Sequence, residues 1–139
     1  MDRSYILLVE DEDNIALALE ILLKRAGYEV HRIKTGAQAL PNIRARRPAL
    51  VLLDVTLPEA SGYDICQQLH MDEDFSGIPV LLMTARATPV ERRKALALGA
   101  DAVLTKPFEI EDLLAEVTRL APLHAPQATL QDQEAVRGN

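Results

Sequence analysis

With 139 residues the chain has room for one domain of ordinary size and a short appendage, and its 48% hydrophobic and 26% charged content excludes disordered, collagen-like and disulfide-scaffold classes. A net charge of −6 lacks the basic footprint of a nucleic-acid binder, and 4% aromatic residues with no Trp leave little for stacking on bases or sugars. The lone Cys66 cannot close an internal disulfide, MDRSYILLVEDEDN turns acidic before reaching signal-peptide length, and no apolar run approaches the roughly 20 residues of a bilayer span, which together predict a cytoplasmic chain with no membrane contact of its own.

In chain order, residues 5–9 form a continuous apolar run that predicts a strand buried on both faces. Ile15, Leu19, Leu22, Leu23 and Ala26 recur at helical spacing, and Gly27 stops that helix. Residues 28–33 alternate, as a strand nearer a sheet edge does. The helix within residues 36–47 is the weakest, because Pro41 lacks a backbone donor and kinks an interior turn, so it is expected short or bent. Apolar runs at 50–53 and 78–83 predict further buried strands, with Ile65 and Leu69 marking the helix between them. Val90 and Leu96 ahead of Gly99 give the fourth helix its apolar spacing, residues 102–104 a fifth strand, and Ile110, Leu113, Leu114, Val117 and Leu120 the last helix. Beyond Leu120 two prolines and little apolar periodicity predict a domain over 1–120 and a tail or linker over 121–139, too short for an output domain.

Five alternations of strand and helix with right-handed crossovers predict a doubly wound α/β domain around a parallel sheet. Ligands of such sheets bind beyond the carboxyl ends of the strands. There the chain places Glu10-Asp11-Glu12-Asp13 after the first strand, Asp54 after the third, Thr84 after the fourth and Lys106-Pro107 after the fifth.

Four carboxylates at a helix start also suit the helix dipole, with Asp13 as a cap, so alone they decide nothing. Asp54 tips the balance, because an acid ending an apolar strand beside other acids must lose its charge or find a cation. Hard oxygen ligands point to Mg²⁺, with Mn²⁺ as the alternative; the scattered His31, His70 and His124 read as surface residues and form no zinc set. Lys106 alone reads as a solvated loop lysine, and Thr84 as an ordinary β-branched strand end. Aimed at the same edge, the ammonium can neutralise a transferring phosphoryl group and the hydroxyl can donate to it.

ILLVEDE at 6–12, VLLDVTLP at 51–58 with Gly62, PVLLMTA at 79–85 and GADAVLTKPF at 99–108, in this order and spacing, make the chain resemble the receiver domain of bacterial two-component response regulators over roughly residues 4–120. The resemblance implies a flavodoxin-like (βα)5 fold with strand order 2-1-3-4-5. It further implies that Asp54 is the phosphoacceptor and that Asp11, Asp54 and the Thr56 carbonyl bind Mg²⁺, with Glu10 acting largely through a water. The phosphoryl donor would be a phosphohistidine on a sensor histidine kinase or a histidine phosphotransfer protein, or a small acyl phosphate. Lys106 and Thr84 would hold the phosphoryl group, and the Lys106–Pro107 bond, typically cis in the family, would aim the lysine. Inward movement of their loops would reshape the face of the fourth helix, fifth strand and fifth helix for an output protein that the sequence does not identify.

The chain departs from the family pattern at several positions. Val103 stands where many receivers carry a Tyr or Phe that swings inward, and a valine has no ring to swing. Glu116 replaces an arginine that in winged-helix regulators pairs with an aspartate, here Asp101, of a second subunit; the two acids repel, which argues against that dimer and leaves other oligomeric states open. Thr56 and Arg86 stand two residues after Asp54 and Thr84, where the family varies and the phosphoryl lifetime is tuned. The basic run Arg92-Arg93-Lys94 is a candidate contact, although a solvated helix face accounts for it as well.

The leading expectation is a phosphorylatable signalling module that assists its own phosphorylation and is not a turnover enzyme. A metal-dependent phosphatase working through an aspartyl-phosphate is opposed by Thr56, where a second aspartate would serve as acid/base. An unphosphorylated interaction module is opposed by the complete set Glu10, Asp11, Asp54, Thr84 and Lys106. A stand-alone receiver is favoured over a segment of a longer regulator, whose sequence would look the same.

Overall fold

The computed structural model describes residues 5–123. Its elements are β1 (Tyr5–Val9), α1 (Asp13–Arg25), β2 (Glu29–Ile33), a 3-10 turn (Gly36–Gln38) running into α2 (Ala39–Ala45), β3 (Leu50–Asp54), α3 (Gly62–Met71), a second 3-10 turn (Glu73–Phe75), β4 (Val80–Thr84), α4 (Pro89–Ala97), β5 (Ala102–Thr105) and α5 (Ile110–Leu120). The five strands form one parallel sheet in the order β2-β1-β3-β4-β5, in agreement with the doubly wound (βα)5 expectation.

β1, β3 and β4 are buried along their whole length, which is why their sequences are continuously apolar. β2 lies at the sheet edge, and its alternating exposure matches its alternating sequence. The sheet separates two apolar layers. On one side Leu7, Val9, Val51, Leu53 and Leu82 pack against Ile43, Ile65, Leu69 and Ala95 of α2, α3 and α4. On the other, Ile6, Leu8, Leu52, Leu81 and Met83 pack against Ala16, Leu19 and Leu23 of α1 and Leu113 and Val117 of α5.

α1 ends as expected at Gly27, whose φ of +107° is open to glycine at little cost and lets the Tyr28 N–H return to the Leu23 carbonyl at 3.0 Å. Tyr28 falls just outside β2 but is 4% exposed, and its hydroxyl donates to the Ala121 carbonyl at 2.6 Å, tying the end of α5 to the sheet. α2 is short because of Pro41: the helix starts at Ala39, so the missing N–H falls in the first turn, where no intrahelical acceptor awaits it.

The fourth helix corrects the sequence reading. Val90 and Leu96 are 63% and 53% exposed, and α4 buries Ala95 instead. Helical spacing identified the helix but not the face it turns inward. The expected tail begins inside the described region only as Ala121–Leu123; residues 124–139, including His124, lie outside it, and His31 and His70 are exposed as expected.

Candidate functional site

The carboxyl ends of β1, β3, β4 and β5 bring the chemistry-bearing residues to one edge. Glu10 follows β1 and is 0% exposed; Asp54 ends β3 and is 6% exposed. The Lys106 ammonium, just past β5, bridges them, 3.0 Å from Glu10 Oε1 and 2.8 Å from Asp54 Oδ2. The remaining oxygens accept main-chain donors, Glu10 Oε2 from the Glu12 N–H at 3.1 Å and Asp54 Oδ1 from the Thr56 N–H at 3.1 Å. Lys106 is therefore no solvated loop lysine: its side chain is 17% exposed and serves two buried acids.

Burial pushes the Glu10 carboxyl above the ordinary carboxylate range, and the nearby Asp54 charge adds to that, while the Glu12 N–H and Lys106 oppose it. Burial alone would weaken the Lys106 ammonium, yet its hydrogen bonds to Asp54 and Glu10 outweigh that loss and hold it above the usual lysine value.

Asp11 completes the acid group from the exposed side. Glu10, Asp11 and Asp54 each offer a carboxylate oxygen within 4.8 Å of the others. Three carboxylates against one ammonium leave negative charge uncompensated on an all-oxygen set, the donor chemistry of Mg²⁺ or Mn²⁺.

Thr84 lies at the expected edge and is 7% exposed, but its hydroxyl is turned to the backbone of Arg86, accepting from the Arg86 N–H at 3.0 Å. Its carbonyl accepts the Lys106 N–H at 2.7 Å, locking the ends of β4 and β5 together. The Lys106–Pro107 bond is cis, as the resemblance implied. Val103 is buried in the α2/α3/α4 layer, and its carbonyl accepts from Arg92 Nη1 at 3.3 Å, so the first residue of the basic run of α4 is engaged within the domain.

Three structural roles were not read from the sequence, although Gly62 already stood among its motif residues. Gly62 must be a glycine, because a Cβ there would meet the Asp54 carbonyl and lie 2.8 Å from Val55 Cα; its N–H donates to the Val55 carbonyl at 2.8 Å and closes the β3–α3 loop beside the acid. The Tyr63 hydroxyl donates to Glu91 Oε1 at 2.6 Å, linking α3 to α4, while Lys94 stacks 4.4 Å from the Tyr63 ring centre. Burial first, and the Glu91 bond after it, push that phenol up to about 12. Arg32 of β2 reaches back to the acid loop, with Nε donating to the Glu10 carbonyl at 2.7 Å and Nη1 pairing with Asp13 at 2.9 Å. Its position on the inward face of an alternating strand was the available signal.

A five-stranded parallel α/β domain whose strand ends gather three acids, a buried lysine and a strand-end threonine belongs to the class of phosphoacceptor signalling domains. The chain is a member of the response regulator receiver domain family, whose sequence model matches residues 6–118. It is 40% identical over 115 residues to the DNA-binding response regulator MtrA of Mycolicibacterium smegmatis, covering 83% of this chain and 49% of that protein. It is 33% identical over 132 residues to the alkaline phosphatase synthesis transcriptional regulatory protein PhoP of Bacillus subtilis, covering 93% and 54%. The chain thus spans about half the length of these relatives.

Among solved structures it resembles the signal receiver domain of a histidine kinase from Syntrophus aciditrophicus, with TM-score 0.79, 35% identity and coverage of 85% and 89% of the two chains. It also resembles the receiver domain of a sensor histidine kinase from Pseudomonas aeruginosa, described with a magnesium ion coordinated in its active site cleft, with TM-score 0.78, 29% identity and coverage of 86% and 98%. None of the described helices is long and apolar enough to cross a membrane.

Proposed function

We propose that residues 1–120 act as a receiver in two-component signalling, with Asp54 accepting a phosphoryl group from a phosphohistidine of a sensor kinase or phosphotransfer protein. The observation that carries this reading is the Lys106 bridge between Glu10 and Asp54 at the strand ends. A buried carboxylate with an ammonium 2.8 Å from one oxygen and a main-chain N–H 3.1 Å from the other is fixed in orientation and cannot swing away from an incoming phosphorus.

An Asp54 oxygen forms the new O–P bond as the P–N bond to the donor imidazole breaks, and the released imidazole takes a proton from solvent. The carboxylate needs no general base, so the chain's contribution is alignment and charge neutralisation. Lys106 supplies one positive charge to the equatorial oxygens. Thr84 can offer its hydroxyl once it leaves the Arg86 backbone. Asp11, Asp54 and the Thr56 carbonyl would hold Mg²⁺, with Glu10 in the layer behind them; the ion supplies the second centre of positive charge against the transferring group.

With Val103 in the aromatic position, the signal passes through movement of the Thr84 and Lys106 loops onto the face formed by α4, β5 and α5. The reading is tested by intact mass spectrometry after incubation with acetyl phosphate, with and without Mg²⁺. One phosphoryl mass gained by the wild type, lost without Mg²⁺ and absent in Asp54→Ala, is the expected result. No gain by folded protein at saturating Mg²⁺ overturns it.

A further inference from the structure

β2 alternates, and Val30 and Arg32 occupy the face turned toward α1, where a further apolar residue would ordinarily stand. The arginine there is only 15% exposed at its side chain. Its Nε donates to the Glu10 carbonyl at 2.7 Å and its Nη1 pairs with Asp13 Oδ1 at 2.9 Å. Its Nη2 is buried with no hydrogen-bond partner. A buried guanidinium that leaves a donor unsatisfied is costly, and a solvent-facing rotamer would relieve it; the position of the fork is what the fold retains.

That fork spans the stretch carrying Glu10 and Asp11. It holds the peptide carbonyl between those two residues at one end and the first residue of α1 at the other, while the Glu10 N–H donates to the Ile33 carbonyl at 3.1 Å. Asp11 lies between these anchors and is itself exposed, with no hydrogen bond of its own among the described residues to fix it.

We propose that Arg32 is a positioning residue for the divalent-cation site, clamping the β1–α1 loop so that the Asp11 carboxylate stays within reach of Asp54. The inference rests on the receiver reading. Arg32 touches neither the acid oxygens of Glu10 nor the phosphoacceptor; it acts through the main chain. Groups that orient metal-binding carboxylates from behind typically change metal affinity by 10–100-fold when removed.

A second effect works against the first. Arg32 is a cation close to a cation site, so deleting its charge alone would tighten metal binding. The two are separated by Arg32→Lys, which keeps the charge but replaces a rigid two-point fork with a single flexible ammonium. Mg²⁺ affinity is read by calorimetry on the whole chain, and the metal-free loop by the amide resonances of residues 10–13. Arg32→Lys is expected to bind Mg²⁺ about tenfold more weakly than wild type, about 1.4 kcal/mol, and Arg32→Met more weakly than wild type but by less, because its lost charge offsets part of the loss, with loop resonances shifted in both and those of β3 and α3 unchanged. Asp13→Asn, which removes the charge that pairs with Arg32 and Lys34 but leaves Arg32 Nε on the Glu10 carbonyl, is expected to stay within about threefold.

Tight wild-type binding with Arg32→Lys unaffected, or with Arg32→Met tighter than wild type, overturns the positioning role while leaving the receiver reading intact. Failure of the wild type to bind Mg²⁺ overturns the metal site and this proposal together, and that result is distinguishable because it appears before any substitution is made.

Discussion

The Lys106 ammonium lies 2.8 Å from Asp54 Oδ2, closing a pair between the ends of β5 and β3 that are separated in the sheet by β4. It also donates to the carboxylate of the fully buried Glu10 at 3.0 Å. Replacing it with Met strands two buried carboxylates, so the metal-free protein should lose about 2–3 kcal/mol, less than a fully buried pair because the lysine is partly exposed. Phosphorylation of Asp54 by acetyl phosphate should slow about 100-fold. Urea unfolding without Mg²⁺ and a mass-spectrometric time course check both; a Lys106→Met protein matching wild type in either would remove that half of the lysine's assigned role.

The same excess of carboxylates makes the fold responsive to divalent ions. At a Mg²⁺ concentration of about 100 times its dissociation constant, linkage adds about 2.7 kcal/mol to stability, visible as a rise of several degrees in Tm. Asp11 is exposed, so Asp11→Asn should cost the metal-free protein little while flattening this response. Thermal melts of the two proteins across a Mg²⁺ series decide it: an equal response places the ion elsewhere.

Gly62 constrains the loop over the phosphoacceptor. A methyl group there collides with the Asp54 carbonyl and lies 2.8 Å from Val55 Cα, backbone that cannot yield without moving the acid. Gly62→Ala should therefore cost about 2–3 kcal/mol and impair phosphorylation out of proportion to the fraction unfolded. Retention of wild-type denaturation midpoint and phosphorylation rate would show that the loop relaxes freely.

The strands and the acid edge were legible because buried parallel strands write unbroken apolar runs, and a charged residue ending such a run stands out, as Asp54 does after 50–53. Two features were hidden for physical reasons. Arg32 grips a main-chain carbonyl, and a carbonyl has no sequence signature. α4 is nine residues with four charged positions, where Val90 and Leu96 satisfy helical spacing yet face solvent while small Ala95 fills the core contact. The measurable consequence is that Leu96→Gln should change stability by no more than about 0.5 kcal/mol. Leu113→Ala, at a site with 0% exposure, should cost about 3 kcal/mol. Denaturant unfolding of both checks the orientation of α4, and a loss at Leu96 comparable to that at Leu113 would reverse it.

Cys66 gives the chain an alkaline limit. Its thiol is fully buried in α3, 3.7 Å from the Leu98 carbonyl, and burial, with the Asp101 charge adding to it, pushes its pKa up to about 11. In the unfolded chain the same thiol ionises near about 8.5. The folded state therefore keeps a proton that the unfolded state releases: the stability contribution is complete below about pH 8.5 and drains away as pH rises toward the folded value, by at most about 3 kcal/mol. The tyrosines held above their usual range, Tyr28 and Tyr63, act in the same direction but only above about pH 10, so the interval below belongs to the thiol. Urea midpoints at pH 7.5 and 9.8 should fall for wild type and fall less for Cys66→Ala, and a thiol reagent should react with Cys66 only as fast as the protein opens. Rapid modification of the native protein at pH 8, or an identical pH slope in Cys66→Ala, would show that the thiol is neither shielded nor shifted.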